Sequence, residues 1–188
     1  MGAILVQNTA WTNAAKALAV LRSRGVLEFE ALRQLRASQL GPLIRSSGYF
    51  RVKARRLHAF LSFLAARYDG RAEALCAEES GQLRTALLGV PGVGRETADS
   101  IVLYAAGLPL FVIDAYTRRV FARLGLVRGD EPYDELQSWF MERLPQEAEL
   151  YNDFHAQIVN LGKDFCRVRP LCGRCPLAAV CPRRGVPV

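Results

Sequence analysis

The apolar positions along this chain recur three and four residues apart rather than in alternation. Leu57, Phe60, Leu61, Leu64 and Tyr68 follow the i, i+3, i+4, i+7, i+11 spacing of one helical face. Phe29, Leu32 and Leu35 space as another. Residues 12–22 open with Thr12 as a candidate cap, and further helices fit 95–106, 115–124, 132–143 and 147–162. Short joints carrying Gly25, Gly41, Gly48, Gly70, Gly107 and Gly125 separate them. The one extended-looking stretch, residues 110–113 after Pro109, is too short for a sheet. The pattern predicts an all-α chain without repeats or low-complexity segments.

Composition sets the scale. With 51% hydrophobic residues over 188 positions, the chain can bury a core as one good-sized domain or two small lobes. No apolar run approaches the roughly 18 residues of a membrane span. The opening MGAILVQNTAW lacks the basic start of a secretory signal, so the cytoplasm is the expected compartment. Net charge is +7, unevenly spread. Arg22, Arg24, Arg33, Arg36, Arg45, Arg51, Lys53, Arg55 and Arg56 stand against Glu28 and Glu30. Lys163, Arg167, Arg169, Arg174, Arg183 and Arg184 stand against Asp164. Between these segments residues 130–150 are acidic. Two basic segments around an acidic one suit a polyanion-binding face, and ordinary charged surface is the alternative.

Four cysteines close the chain as C-x5-C-x2-C-x5-C: Cys166, Cys172, Cys175 and Cys181. A fifth, Cys76, stands alone and reads as a packed small residue. The odd count and the lack of a signal argue against a disulfide framework. Structural zinc usually takes two close pairs on separate knuckles, and only Cys172 and Cys175 form a close pair here. The tight loop favours a 4Fe–4S cluster over zinc, with a structural rather than a redox role. Pro170, Pro176 and Pro182 stiffen the ligand segment.

The segment LLGVPGVGRETADS reads as the end of one helix, a glycine-rich turn and the start of another. Gly92 and Gly94 permit close backbone approach. The helix starting near Arg95 presents unpaired N–H groups and the positive end of its dipole, a phosphate site. A plain αα turn is the bland alternative. Twenty residues after Gly94 stands Asp114, behind the apolar run Phe111, Val112 and Ile113. It reads either as a helix N-cap or as a carboxylate at the mouth of a cleft.

The hairpin, the acid and the terminal cysteine loop, in that order, resemble the endonuclease III superfamily of helix–hairpin–helix DNA glycosylases. The resemblance runs from about Ala3 to Cys181, with a first cysteine gap one residue shorter than is usual there. In that family a further segment usually precedes the first matched helix. The resemblance implies a two-lobed fold. One helical lobe would cover about 12–110. The other would join the N-terminal residues to about 111–165, and the iron–sulfur loop would occupy 166–181. It implies duplex DNA carrying a damaged base as partner, a monomer, no membrane, and association with the nucleoid in a bacterium. The damaged nucleotide would be rotated out and its N-glycosidic bond broken.

In bifunctional members a lysine two residues after the second hairpin glycine attacks the sugar and forms a Schiff base. Glu96 stands there, and a carboxylate cannot do this. The run GVGRETAD, the opening QNTAW and the segment DFHAQIV resemble the 3-methyladenine DNA glycosylase branch. The expectation is a monofunctional glycosylase, with an alkylated purine favoured. Asp114 would stabilise oxocarbenium character and orient water. Glu96 would shape the pocket, protonate a purine or merely cap its helix. Trp11 and His155 are base-pocket candidates, each with lobe core as the alternative. Gly92, Gly94, Arg95, Gln7, Lys53 and Arg55 are DNA-contact candidates, Gln7 by filling the gap left by the flipped nucleotide. The competing functions are a glycosylase and AP lyase on oxidised pyrimidines, a mismatch-specific glycosylase, and a DNA-binding module without catalysis.

Overall fold

The computed structural model describes residues 1–186. Among them every regular element is a helix and no strand forms, as the spacing of apolar positions predicts. The chain divides into two compact units, one ending at Ala106 and one beginning at Gly107.

The first unit holds α1 (Gly2–Leu5), α2 (Trp11–Ser23), α3 (Phe29–Gln34), α4 (Ala37–Leu43), α5 (Phe50–Tyr68), α6 (Ser80–Leu88) and α7 (Arg95–Tyr104). The longest, α5, buries Leu57, Phe60, Leu61, Leu64 and Tyr68, the face its sequence marks out. Helices α1, α3 and α4 pack against it. α1 also packs against α2 and α7, with Ile4 and Leu5 fully buried. Thr12 is not a cap: α2 begins at Trp11, one residue earlier, with Ala10 as N-cap and no side-chain bond. Leu35 falls just past α3 in extended backbone. Cys76 is exposed rather than packed, in a 3-10 turn at Ala72–Ala77.

Lys53 is the unit's unusual core residue. It lies on the buried face of α5 at 1% exposure. Its ammonium donates to the Leu5 carbonyl at 2.8 Å and to the Ser47 carbonyl at 2.5 Å. One cation thus ties the end of α1 and the 3-10 turn at Arg45–Ser47 to α5. Burial, helped by the charge of Arg56, pushes its pKa below the ordinary lysine value.

The second unit holds α8 (Ala115–Arg123), α9 (Tyr133–Met141), α10 (Ala148–Asp164) and a 3-10 turn at Cys172–Arg174. Its core is aromatic. Phe111 stacks on Phe140 with centroids 4.4 Å apart, and Tyr151 meets Phe111 edge-on at 5.4 Å. Phe121 meets Phe140 edge-on at 4.6 Å. α8 packs closely on α10 at Gly162, where a Cβ would lie 2.6 Å from the Tyr116 ring. Arg119 donates to the carbonyls of Gly162 and Cys166, satisfying acceptors at the C-terminal end of α10. Between α8 and α9 the Glu131 carboxylate accepts the N–H groups of Arg128 and Gly129, at 2.6 and 2.8 Å. Burial would push Glu131 up. The backbone N–H groups outweigh it and hold its pKa below the ordinary value of 4.5.

Two expectations follow from these buried charges. Lys53→Met strips two inward carbonyls of their donor and should lower stability by about 2–4 kcal/mol, read from urea midpoints. Arg55→Ala, on the exposed side of the same helix, should change it by less than ~0.5 kcal/mol. Because Glu131 has a lowered pKa when folded, its stabilisation is full above pH 4.5 and fades as acid reaches the lowered value. Glu131→Gln should therefore lose stability near neutral pH and show a shallower decline in acid.

Candidate active site

In the first unit, α6 and α7 form a helical hairpin. Arg84 on α6 grips Asp99 on α7 at 2.7 Å, and the Asp99 side chain is fully buried. This fixes the two helices before the loop between them is considered. Val90 and Val93 are buried, and the Val93 N–H closes the turn on the Val90 carbonyl at 3.0 Å. Gly92 has φ +85°, and a Cβ there would lie 2.4 Å from Cγ of Arg56. Both the backbone and the neighbour exclude a side chain. Gly94 is the N-cap of α7 in extended backbone, with no side-chain cap.

Gln7 secures this loop from outside. Its amide nitrogen donates to the Gly92 carbonyl at 3.0 Å and to the Thr97 hydroxyl at 2.9 Å. Its amide oxygen accepts from Arg56 at 2.5 Å. The gap-filling candidate is therefore engaged with the hairpin here. Arg95 and Glu96 are exposed in the first turn of α7. No lysine lies in the sequence between Gly94 and Lys163. Arg55 is exposed on α5 as a phosphate ligand requires. Lys53 is not: its ammonium faces the core, which corrects the reading of it as a DNA contact. Trp11 is 59% exposed at the start of α2, its ring lying over Gly2. The sequence reading missed Tyr49, held at φ +44° with 72% of its surface exposed, at the N-cap of α5. An aromatic directly after a glycine, at the head of a basic helix, is the signal that marks it.

In the second unit, Asp114 follows the buried run Phe111–Ile113 and begins α8 as its N-cap. Oδ1 accepts both the Thr117 N–H, at 2.7 Å, and the Thr117 hydroxyl, at 2.9 Å. Oδ2 lies 3.7 Å from Nε2 of His155 on α10. The side chains are 13% and 8% exposed, respectively. Burial pushes the His155 pKa down, against the upward pull of the Asp114 charge. His155 also meets Phe111 edge-on at 6.4 Å. The cap is real, and it leaves the second carboxylate oxygen outside the Thr117 bonds.

Cys166, Cys172, Cys175 and Cys181 line one cavity, with Arg123, Phe165, Pro170 and Ala178 among its other walls. All four are free, half-buried thiols. Cys175 N–H bonds back to the Cys172 carbonyl at 3.2 Å, so the close pair sits on one turn. Among the described residues, no three His, Cys, Asp or Glu side chains gather tightly enough to hold a single metal ion. Four soft sulfurs around one shared, largely apolar space suit a multi-iron centre with one thiolate per metal.

Residues 1–146 match the family described as HhH-GPD superfamily base excision DNA repair protein. The chain is 41% identical over 182 residues to "Putative DNA repair glycosylase MJ1434" of Methanocaldococcus jannaschii, covering 96% of this chain and 83% of that one. It is 30% identical to endonuclease III of Bacillus subtilis, covering 73% of this chain and 59% of that protein's length. Among solved structures it resembles a non-covalent endonuclease III–DNA complex, with TM-score 0.82, 27% identity, and coverage of 97% and 80%. It also resembles a Helicobacter pylori 3-methyladenine DNA glycosylase bound to 1,N6-ethenoadenine, with TM-score 0.76, 29% identity, and coverage of 86% and 82%. The chain belongs to the HhH-GPD superfamily of base excision DNA repair proteins, in the endonuclease III superfamily.

Proposed function

We propose that this protein is a monofunctional DNA N-glycosylase that removes an alkylated purine from duplex DNA by attack of water. The observation that carries the reading is Asp114, a carboxylate with one oxygen outside its cap bonds; the sequence adds Glu96, an acid at the position of the lyase lysine.

As the base departs, positive charge develops on the sugar. An ionised Asp114 stabilises that charge and orients the water that attacks C1′. Thr117 holds the carboxylate plane, so little reorganisation is needed as charge develops. His155 walls the other oxygen. An alkylated purine carries its own positive charge and leaves without strong acid catalysis. Its cationic face suits stacking on Trp11. Glu96, facing solvent, offers no amine to the sugar.

Binding falls to other groups. The N–H groups at the start of α7, with Gly92, Gly94 and Arg95, receive phosphate. Arg51 and Arg55 add charge from the exposed side of α5. Tyr49 supplies a flat ring for stacking against an opened base step. Gln7 fills the vacated stack once it leaves Gly92 and Thr97. The four terminal cysteines, which line one cavity, would hold a 4Fe–4S cluster. When bound, it supplies iron–thiolate bonds that brace a loop with little core of its own.

One set of assays tests the reading. Duplexes carrying alkylated, oxidised or deaminated bases are incubated with enzyme, then analysed with and without alkali. Release of an alkylated purine, with strand breaks only after alkali, is expected. Asp114→Asn should slow single-turnover release by about 10²–10³-fold while leaving duplex affinity nearly unchanged. Borohydride should trap no covalent adduct on abasic DNA. A trapped adduct, or undiminished release by Asp114→Asn, rejects the mechanism. No release from any duplex leaves the DNA-binding module as the better reading.

A further inference from the structure

The four cysteines differ in what holds them. Cys172 and Cys175 share a 3-10 turn and organise each other through the backbone. Cys166 and Cys181 stand at the two ends of the segment, and both are held by Arg123, the last residue of α8. Its guanidinium donates to the Arg167 carbonyl at 2.5 Å and to the Val168 carbonyl at 3.1 Å. The same Nη1 lies 3.4 Å from Sγ of Cys166. Its backbone carbonyl accepts the Arg184 N–H at 3.0 Å and the Cys181 thiol at 3.5 Å. That carbonyl belongs to the last turn of a helix and has no intrahelical donor.

We propose that Arg123 latches both ends of the cysteine segment onto α8 and sets how firmly the cluster is retained and how readily it is reduced. The inference rests on the iron–sulfur reading above. Its first half follows from geometry. A planar fork spanning two successive carbonyls fixes the chain direction just after Cys166, and no other side chain type offers that fork. At the far end, the Arg184 N–H stays on the Arg123 carbonyl when the Cys181 thiol gives up its proton to become a ligand. The second half follows from charge. Adding an electron makes the cluster more negative, and a fixed cation against a ligand sulfur stabilises the reduced form. Arg119 reaches only the carbonyl of Cys166, not its sulfur. Arg123 is thus a positioning residue for the cluster.

The test compares anaerobically reconstituted wild type with Arg123→Lys, Arg123→Met and Arg167→Met. Arg167 is a control, a cation next to Cys166 whose Nε bonds the Lys163 carbonyl. Iron per chain, the rate of absorbance loss to a chelator, and the midpoint potential are measured. Arg123→Met should lose iron about 10-fold faster or more, and its remaining cluster should be reduced at a more negative potential. Arg123→Lys keeps the charge without the fork, so it should lose iron faster than wild type while its potential stays close. Arg167→Met should match wild type in both. Wild-type retention and potential in Arg123→Met overturn the proposal. If that variant is insoluble, Arg123→Lys decides, and iron loss as slow as wild type overturns the latch. A wild-type chain that takes up zinc, or no metal, sinks the cofactor reading and the inference with it, a result distinct from the failure of Arg123 alone.

Discussion

The Asp114 carboxylate has two oxygens, and α8 uses one of them. Oδ1 takes the backbone and hydroxyl donors of Thr117, which starts the helix and locks the plane of the group. Oδ2 lies beside His155 in a nearly dry site. A carboxylate placed by rotamer preference alone would wander over several wells. One placed by a cap is held as firmly as the helix itself. The helix is held in turn by Phe111 and Phe121 in an aromatic core and by Arg119 at the end of α10. The precision of one oxygen therefore derives from the packing of the whole second unit.

The hairpin of the first unit solves a different problem. A loop that is to receive phosphate, as proposed for this one, must expose its N–H groups, so it cannot bury them for stability. Its order is imposed from behind. The buried Arg84–Asp99 pair joins the two helices, Val90 and Val93 anchor the loop, and Gln7 with Arg56 pins Gly92. A buried ion pair is weak evidence of net stabilisation, since desolvation offsets much of its attraction. Its value here is geometric, because Asp99 with no exposed surface accepts Arg84 in one arrangement.

What the sequence reveals depends on whether a feature is periodic or directional. The buried face of α5 is legible because Leu57 to Tyr68 repeat at helical spacing, and burial follows from that spacing alone. The short α1 and α4 are not, since four to seven residues give too few turns to establish a period. Lys53 shows the limit of counting charges. Among eight arginines it reads as one more cation on a basic face, yet the helical phase places it in line with Leu57 and Phe60. Had the same 3.6-residue phase been applied to charged residues as to apolar ones, Lys53 would have been set apart from Arg55. At Asp114 the cap reading holds, and the cap leaves the second oxygen in surroundings of its own beside His155. No linear pattern can express that.

If the hairpin and position 96 act as proposed, they account for one fold serving different reactions. In the function proposed above, the hairpin meets phosphate through backbone N–H groups, and their direction is set by helix geometry rather than by side chains. The side chain at the second position of α7 is therefore not needed for that contact. It can be an amine that attacks the sugar or, as with Glu96, an acid that cannot. Asp114 is more constrained, since of the other residues only a capping type such as Asn keeps the bond that starts α8, and Asn loses the charge. On the proposed mechanism, the scaffold constrains the electrostatic part of the chemistry more strongly than the nucleophilic part. In the proposed reading, divergence between hydrolysis and lyase chemistry runs through one surface position of one helix.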